Sequence, residues 1–538
     1  MSFYAEKFEA TKKRKYRISL FCPFVRASKR KKRLVLTALI RYRFEKPLKL
    51  SDMYLKIGSM RHAVKIIAPF QNTSKPSKKG FGIIRIVIKQ SELSKFGRKS
   101  FVNLYGDGKA RSMMYHGLAN SYKRRTSRPY WDTGSNTIVY FEEATNGKLM
   151  LSVRVPNEMD KLSNKVKTGL AYICAKAADI FSKKRPIYMY EKFGRYEEGA
   201  SILYEKLMDE GYTNAFFVAN DALLPSGLEE KYKKNIISQY SFKQYYTYFR
   251  SYTFAATEHI KRAIELDSPS FLIWKHYRKG YDKVTHIHLQ HGVMYMLCMG
   301  ADDRYNTRKE SREGFYKQIF IISSEKEAQH FLQYGGYTRD ELYLSGLPKF
   351  DKAVLYDVHD KIVIMPTWRP WELNQALHDA QSTSYYAFTK RIMDAVPEEL
   401  KDKMIVLSHP LFSQILRGDK EEYTKSYDEI LRETKLLITD YSSISYDSFY
   451  RGSNVIFDWS DKEHCMEEYG NGAMLMLQEE EAFGYVTRTE EELREAIIKA
   501  YNEPQKQEFI DNYNTIVEFH DNRDSERVIE FMKRDGLL

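Results

Sequence analysis

Residues 435–449 read Lys-Leu-Leu-Ile-Thr-Asp-Tyr-Ser-Ser-Ile-Ser-Tyr-Asp-Ser-Phe, a short apolar run that ends abruptly in an acid and a pair of hydroxyls. Positions 436–439 have the length and composition of a buried strand, and 445–451, closed by Gly452, read as the helix after it. A buried strand feeding a helix through a polar turn is the building unit of a parallel α/β sheet. In such sheets ligands bind in the crevice beyond the carboxyl ends of the strands, so Asp440, Tyr441, Ser442 and Ser443 stand where chemistry is usually placed.

The same texture runs from about residue 159 to the end of the sequence. Strands predicted at 186–190, 215–218, 286–289, 319–322, 342–344, 362–365 and 404–407 alternate with helical segments such as 197–210 and 387–396. The residues at the strand exits are polar, charged or turn-forming: Glu191-Lys192-Phe193-Gly194, Gln290-His291-Gly292, Gly346-Leu347-Pro348-Lys349, Pro366-Thr367-Trp368-Arg369 and Ser408-His409-Pro410. Two such sheets facing each other would bring these tips to one cleft.

Upstream the pattern is different. Positions 83–88 form a continuous strand-like run, Leu149, Leu151, Val153 and Val155 alternate with other residues, and Asn146-Gly147 between two apolar runs signals a hairpin. The expectation is a small β-sandwich that binds or positions something. Before it, KKRKYRISLFCPFVRASKRKKR at 12–33 sets two basic clusters around an aromatic patch. That composition suits either a solvated tail or a segment lying on an anionic leaflet. The predicted division is a basic membrane-associating segment 1–34, a β-rich accessory domain 35–158, and two α/β halves at 159–345 and 346–538.

Composition sets the outer limits. At 538 residues, with 43% hydrophobic content, the chain can fill more than one core. Its net charge of +15 favours an anionic partner such as a phosphate-bearing substrate or anionic lipid, with nucleic acid ranked last because no nucleic-acid motif accompanies the charge. Cys22, Cys174, Cys298 and Cys465 show no Cys-x-x-Cys spacing and are read as buried packing residues of a reducing compartment. No apolar run approaches the roughly 18 residues of a membrane span, and positions 1–17 lack the apolar core of a signal peptide, so the expected location is cytosolic.

At the strand tips, Ser442 and Ser443 with nearby backbone N–H groups would sit at the positive end of a helix, a setting for phosphate as well as for an ordinary N-cap. Asp440 is an awkward neighbour for an anion and is read as fixing the turn or orienting another side chain. His291 and His409 each come after a strand, where a neutral imidazole can take a hydroxyl proton. Arg369 and Lys349 would supply positive charge to a diphosphate, with ordinary surface charge the alternative for Lys349 above all. No metal-ligand spacing is present, so neither metal nor cofactor is expected.

Taken together, Gln290-His291-Gly292, Gly346-Leu347-Pro348-Lys349-Phe350-Asp351, Met365-Pro366-Thr367-Trp368-Arg369, Ser408-His409-Pro410 and Thr439-Asp440-Tyr441-Ser442-Ser443-Ile444 resemble the CDP-glycerol glycerophosphotransferase family of teichoic acid polymerases and primases. Phe483-Gly484 and His520-Asp521-Asn522 through Ser525-Glu526-Arg527-Val528 extend the resemblance towards residue 538. It implies a GT-B architecture, two Rossmann-like halves with the active site between them, in peripheral enzymes of the cytoplasmic membrane face of Gram-positive bacteria. It also implies activity-bearing roles for His291 and His409, and donor contacts from Pro366, Thr367, Trp368, Arg369, Ser408, Asp440, Ser442, Ser443 and Lys349. Two departures stand out: Val293-Met294-Tyr295-Met296 comes after His-Gly where the family often has Thr-Pro-Leu-Lys, and Lys349 replaces the more common Arg.

The resulting expectation is transfer of glycerol phosphate or ribitol phosphate from a CDP-polyol donor to a lipid-linked polyol-phosphate acceptor, with CMP leaving. His291 would act as base, while His409, Arg369 and the Ser442–Ser443 turn hold the diphosphate. An anionic membrane surface is the expected partner, nucleic acid is not, and a homo-oligomer stays open. The alternatives are a GT-B glycosyltransferase using a nucleotide sugar and a non-catalytic membrane-bound organiser.

Overall fold

The computed structural model describes residues 17–28, 32–58, 60–62, 65–69, 71–96, 99–115, 130–133, 136–143, 148–258, 263–264, 272–273, 276, 283–299, 317–372, 375–376, 379–408, 426–470 and 472–538. Packing divides the chain into two units, Met1–Ile180 with Tyr240–Phe249 and Ile264–Tyr281, and Phe181–Gln239 with Arg250–Ala263 and Asp282–Leu538.

The first unit is β-rich. Its strands are β1 (Arg17–Ser28), β2 (Arg33–Leu48), β3 (Tyr54–Ile57), β4 (Met60–His62), β5 (Lys65–Ile67), β6 (Ser77–Lys89), β7 (Lys99–Gly106), β8 (Lys109–Tyr115), β9 (Tyr130–Asp132), β10 (Ile138–Glu143) and β11 (Leu149–Arg154). They join in one eleven-stranded sheet of order β5-β6-β2-β1-β8-β7-β11-β10-β9, with β3 and β4 branching from β7. This differs from the two separate sheets of the expected sandwich. Leu36 and Ile84 from one end of the sheet nevertheless share a core with Val139 and Leu151 from the other. Strand β2 alternates buried Leu36, Ala38, Ile40 and Tyr42 with more exposed residues, as a sheet with one covered face requires.

Part of the basic 12–33 stretch is a strand, since β1 pairs antiparallel with β2 and buries Ile18 and Leu20. The basic clusters at 12–15 and 29–31 lie outside the described residues, as does the Asn146-Gly147 turn between β10 and β11. Helix α1 (Leu162–Phe181) comes after this sheet. Of the cysteines, Cys298 and Cys465 are buried, but Cys174 on α1 is exposed, contrary to the packing role expected of it.

The second unit holds both parallel sheets. Strands β12 (Ile187–Tyr190), β13 (Ala215–Ala219), β14 (Ile236–Ser238), β15 (Thr253–Ala256), β16 (Thr285–His288), β17 (Lys317–Ile322) and β18 (Leu342–Leu344) are ordered β14-β13-β12-β15-β16-β17-β18. Every pair is parallel. Chain order therefore reverses between β12 and β15, the Rossmann switch point. The second sheet, β19 (Lys361–Ile364), β20 (Met404–Val406), β21 (Thr434–Thr439), β22 (Asn454–Asp458) and β23 (Tyr485–Thr487), runs β20-β19-β21-β22-β23 and reverses between β19 and β21. Strand β12, Ile-Tyr-Met-Tyr, is buried at every position, which explains its uninterrupted apolar and aromatic character.

One hydrophobic core joins the sheets, containing Met189 and Ile287 from the first with Leu437 and Phe457 from the second. The segment after His291 is pinned across the junction: Met476 N–H donates to Met296 O (2.7 Å), Cys298 N–H to Met474 O (3.0 Å), and the Tyr446 hydroxyl to Tyr295 O (3.0 Å). Buried His330 ties the same segment from below, accepting the Met299 N–H while its other ring nitrogen meets Met294 O. Val293-Met294-Tyr295-Met296 is therefore packing material between the halves. The last helix, α2 (Asp524–Arg534), returns to the first sheet, where Phe531 stacks on Tyr343 at 4.4 Å. Gly346 permits this return, because with φ +76° a Cβ there would collide with the Asp524 carboxyl.

Candidate active site

The first sheet contributes its site residues at the switch point. After β12, the buried Glu191 carboxylate accepts the N–H groups of Glu197 (2.9 Å), Glu198 (3.0 Å) and Ser201 (2.8 Å), capping helix α3 (Gly199–Asp209). Burial and the neighbouring Glu198 push Glu191 up to about 7 despite these bonds. The cap fixes Glu198 at the helix entrance. The adjoining chain turns at Gln290, whose φ of +54° is unusual for a residue with a side chain. Its amide is held by Ile321 O and buried Glu327, and Glu327 also accepts the Met294 N–H at 2.7 Å.

His291 leaves this turn half-exposed, its Nδ1 3.1 Å from Glu198 and its Nε2 3.3 Å from Glu258. Burial disfavours the imidazolium, but the two carboxylates outweigh it and raise the His291 pKa to about 9. In return, although burial works the other way, His291 draws Glu198 below the usual carboxylate range. An imidazole with both nitrogens facing carboxylates is charged at neutral pH and must release a proton before it can accept one.

The second sheet meets this cluster closely. A Cβ at Gly292 would lie 3.3 Å from the Ser443 hydroxyl and 3.5 Å from Asp447, so glycine lets the two strand tips approach. Lys349 bridges them, 2.5 Å from Asp447 and donating to the His291 carbonyl. It is mostly buried and paired, unlike ordinary surface charge. Helix α4 (Ile444–Tyr450) begins just after Ser443, whose side chain makes no capping bond; the helix ends where Gly452 takes φ +108°. The Ser442 hydroxyl accepts a long 3.5 Å contact from the Ile444 N–H.

Arg369 is held still more tightly. It is wholly buried, donating to Asp440 (2.8 Å), Thr367 O (2.6 Å) and Asp461 (3.0 Å), with Phe388 and Tyr441 against the guanidinium. Asp440 accepts the Thr367 N–H and hydroxyl and its neighbour's Tyr441 N–H. Asp440 and Arg369 thus lock the β19 and β21 tips together, and their charges are spent inside the protein. Pro366 is buried and Trp368 packs edge-on against Tyr385. Ser408 carries a buried hydroxyl with no hydrogen-bond partner among the described residues. His409 lies outside the described residues.

Gly292, Lys349, Ser443 and Asp447 therefore meet beside His291, but the sequence reading missed Glu191, Glu198, Glu258 and Asp447. Glu191 stood in a quoted strand tip, and the Glu197-Glu198 pair before a helix was the available signal for a cap. Glu258 lies just past β15, a strand that was not predicted.

The sequence profile of the CDP-Glycerol:Poly(glycerophosphate) glycerophosphotransferase family matches residues 173–533. The chain belongs to this family. A curated relative, the minor teichoic acid biosynthesis protein GgaB of Bacillus subtilis (strain 168), is 22% identical over 204 residues, covering 33% of this chain and 21% of that protein. The match thus spans about a fifth of that relative's length. Among solved structures, the wall teichoic acid polymerase TagF is 15% identical, with 69% of this chain and 93% of that chain covered and a TM-score of 0.49. MurG of Acinetobacter baumannii is 10% identical, with 65% and 100% covered and a TM-score of 0.30. The family assignment covers both parallel sheets of the second unit and leaves the β-rich sheet outside it.

Proposed function

We propose that this member of the glycerophosphotransferase family moves a polyol phosphate, glycerol phosphate or ribitol phosphate, from a CDP-activated donor to a hydroxyl on a lipid-linked acceptor. The observation that supports this reading is the placement of His291, braced by two carboxylates on the first sheet, against the uncapped Ser443 hydroxyl on the second. Proton handling stands on one side of the junction and hydroxyl donors on the other. The acceptor oxygen attacks the polyol-bearing phosphorus, the bond from that phosphorus to the bridging oxygen breaks, and CMP leaves with the bridging oxygen.

In this reading the acceptor hydroxyl takes the place of Glu258 beside Nε2 and gives its proton to neutral His291. Glu198 stays on Nδ1, fixing the tautomer and stabilising the imidazolium as it forms. Ser408, Ser442 and Ser443 face the diphosphate, with His409 assigned there by family resemblance. Arg369 and Asp440 act by holding the β19 and β21 tips in register. Incubating the protein with radiolabelled CDP-glycerol or CDP-ribitol and a lipid-linked polyol-phosphate acceptor tests the proposal. Release of CMP coupled to labelled lipid is the expected result. Turnover of a UDP-sugar alone would replace it with the glycosyltransferase reading, and inertness to every donor would favour the organiser.

A further inference from the structure

The register of β2, β5 and β6 sets like charges against each other on the outward face of the β-rich sheet. Antiparallel pairing places Arg43 opposite Lys79, Arg33 opposite Lys89, and Lys65 opposite Arg85. Residues directly opposite share a face with Cβ atoms about 5 Å apart, and like charges so placed are destabilising. Arg41 faces Phe81 across the same ladder, its guanidinium 5.8 Å from the ring centre. Arg41, Arg43, Lys65, Lys79 and Arg85 are exposed, and none of them is ion-paired among the described residues. The single acid in the three strands, Glu45, lies beyond Arg43 and meets Lys109 at 3.6 Å. A face that concentrates cations in register is arranged for an anion that arrives from outside.

Between the cationic rows runs an aliphatic one. Leu39, Ile83 and Ile67 stand opposite one another on β2, β6 and β5, with Leu39 40% and Ile67 45% exposed. Successive residues on one face of a strand are about 7 Å apart, so Arg85 and Lys65 flank this row on one side and Arg41 on the other. Arg and Lys side chains are longer than Leu and Ile, which makes the aliphatic row a floor between charged rims.

We propose that this face binds a linear polyol-phosphodiester chain, with phosphates on the cationic rows and the carbon units between them over the aliphatic one. Charge complementarity calls for a polyanion, and the rest of the face selects which. A single-stranded nucleic acid needs free rings to stack its bases, and Phe81, the one aromatic among these outward residues, already carries Arg41. A bilayer takes apolar side chains that reach past the charges, whereas here the cations are the longer groups. A polyol-phosphate polymer alternates charge with short carbon units, as the rows do. The choice of polyol rests on the transfer reading. The cationic face itself lies within residues 33–89, ahead of the family match at 173–533 and in the other unit from His291. Such a site retains a long product between additions and so sets how far one chain is extended.

Fluorescence anisotropy of the full chain with a labelled, lipid-free glycerol-phosphate decamer, and no donor present, tests the site. Binding should weaken steeply as salt rises, because each phosphate contact releases counterions. K65Q/R85Q and R41Q/R43Q should each weaken it at least about tenfold and flatten the salt dependence, since each removes two such contacts. Thermal unfolding of both variants at low salt should stay level or rise, because a repulsive pair is gone from an exposed surface. K183Q/K184Q removes two exposed cations from the other unit and should leave the affinity unchanged. An equal fall in K183Q/K184Q would reduce the binding to net charge and overturn the proposal, as would full affinity in K65Q/R85Q. Tighter binding of a uridylate decamer that the same variants abolish would assign the face to nucleic acid and overturn it. Binding of phosphatidylglycerol vesicles that they abolish, without capture of the glycerol-phosphate decamer, would assign it to lipid and overturn it likewise. Decamer binding without CMP release from any donor leaves this face standing and removes the transfer reading, and CMP release without decamer binding removes the face alone.

Discussion

The rims of the two parallel sheets solve opposite electrostatic problems. On the first, carboxylates from separate segments surround one half-exposed imidazole and move its proton affinity. On the second, Asp440 and Asp461 share the Arg369 guanidinium within the protein, while the Ser408 hydroxyl has no partner and the Ser443 side chain makes no capping bond among the described residues. Charge left open on a rim tunes chemistry, whereas charge closed on itself builds shape. Substitutions on the two rims should therefore fail differently, through pH profiles on the first and through folding or donor affinity on the second.

The largest effect is expected in the closed network. Arg369→Ala leaves buried Asp440 without its charge partner and removes one from Asp461, and breaking a buried pair from one side destabilises by about 3–5 kcal/mol. Denaturant unfolding should show that loss, together with poor soluble yield. Arg369→Lys should recover only part of it, because an ammonium cannot span both carboxylates with the guanidinium's fork. Near-normal stability in Arg369→Ala would show that the network is dispensable and that Arg369 is kept for the substrate.

His291→Ala comes next and should cost only modest stability, because the side chain is half-exposed, with the loss seen at neutral pH and vanishing as pH rises through about 9, where the paired imidazolium is no longer present in the wild type. Loss of a general base should lower single-turnover transfer by roughly a hundred- to ten-thousand-fold while donor affinity, read by calorimetric titration, stays nearly constant. A selective loss of donor binding would move His291 to the phosphate side.

Glu198→Gln sharpens the comparison through pH. His291 titrates near 9, so the neutral base is scarce at pH 7 and kcat/KM should rise with pH towards a limb near 9. Removing Glu198 takes away a carboxylate that raises this value, and the limb should move to lower pH. Glu191→Gln should move it less, since Glu191 reaches His291 only by capping the helix that presents Glu198. A pH profile that falls above 9 would instead require the imidazolium for activity.

Legibility in the sequence followed the same division. Strand tips were readable because an apolar run stopped by His-Gly or Asp-Tyr-Ser-Ser marks both a buried strand and its exit, and the observed Thr434–Thr439 strand and Ile444–Tyr450 helix lie within a few residues of the predicted ones. Four-residue β15, Thr-Phe-Ala-Ala, carries no such mark, so Glu258 had no frame. The fates of Arg369 and Lys349 were unreadable because pairing with Asp440, Asp461 and Asp447 is made by chain segments far apart in sequence. The same limit hid the single β sheet of the first unit: alternation tells which face of a strand is covered, and not which strand lies beside it.

Ser443 gives the smallest and most discriminating effect. Asp and Ser before a helix ordinarily suggest a cap, and losing a serine cap typically costs about 1 kcal/mol. Here the Ser443 side chain makes no capping bond and lies beside Gly292 at the junction of the sheets. Ser443→Ala should therefore leave the unfolding midpoint within the few tenths of a kcal/mol typical of neutral surface changes. If its hydroxyl donates to the diphosphate, donor affinity should fall by roughly tenfold, the worth of one hydrogen bond to a charged group. Ser445→Ala is the control, because the Ser445 hydroxyl is already spent on Ser442 O at 2.9 Å and should affect stability without affecting donor binding. If Ser443→Ala instead destabilises the protein and leaves donor affinity alone, the serine is a cap after all, and the second rim would contact the donor through Ser408 and Ser442.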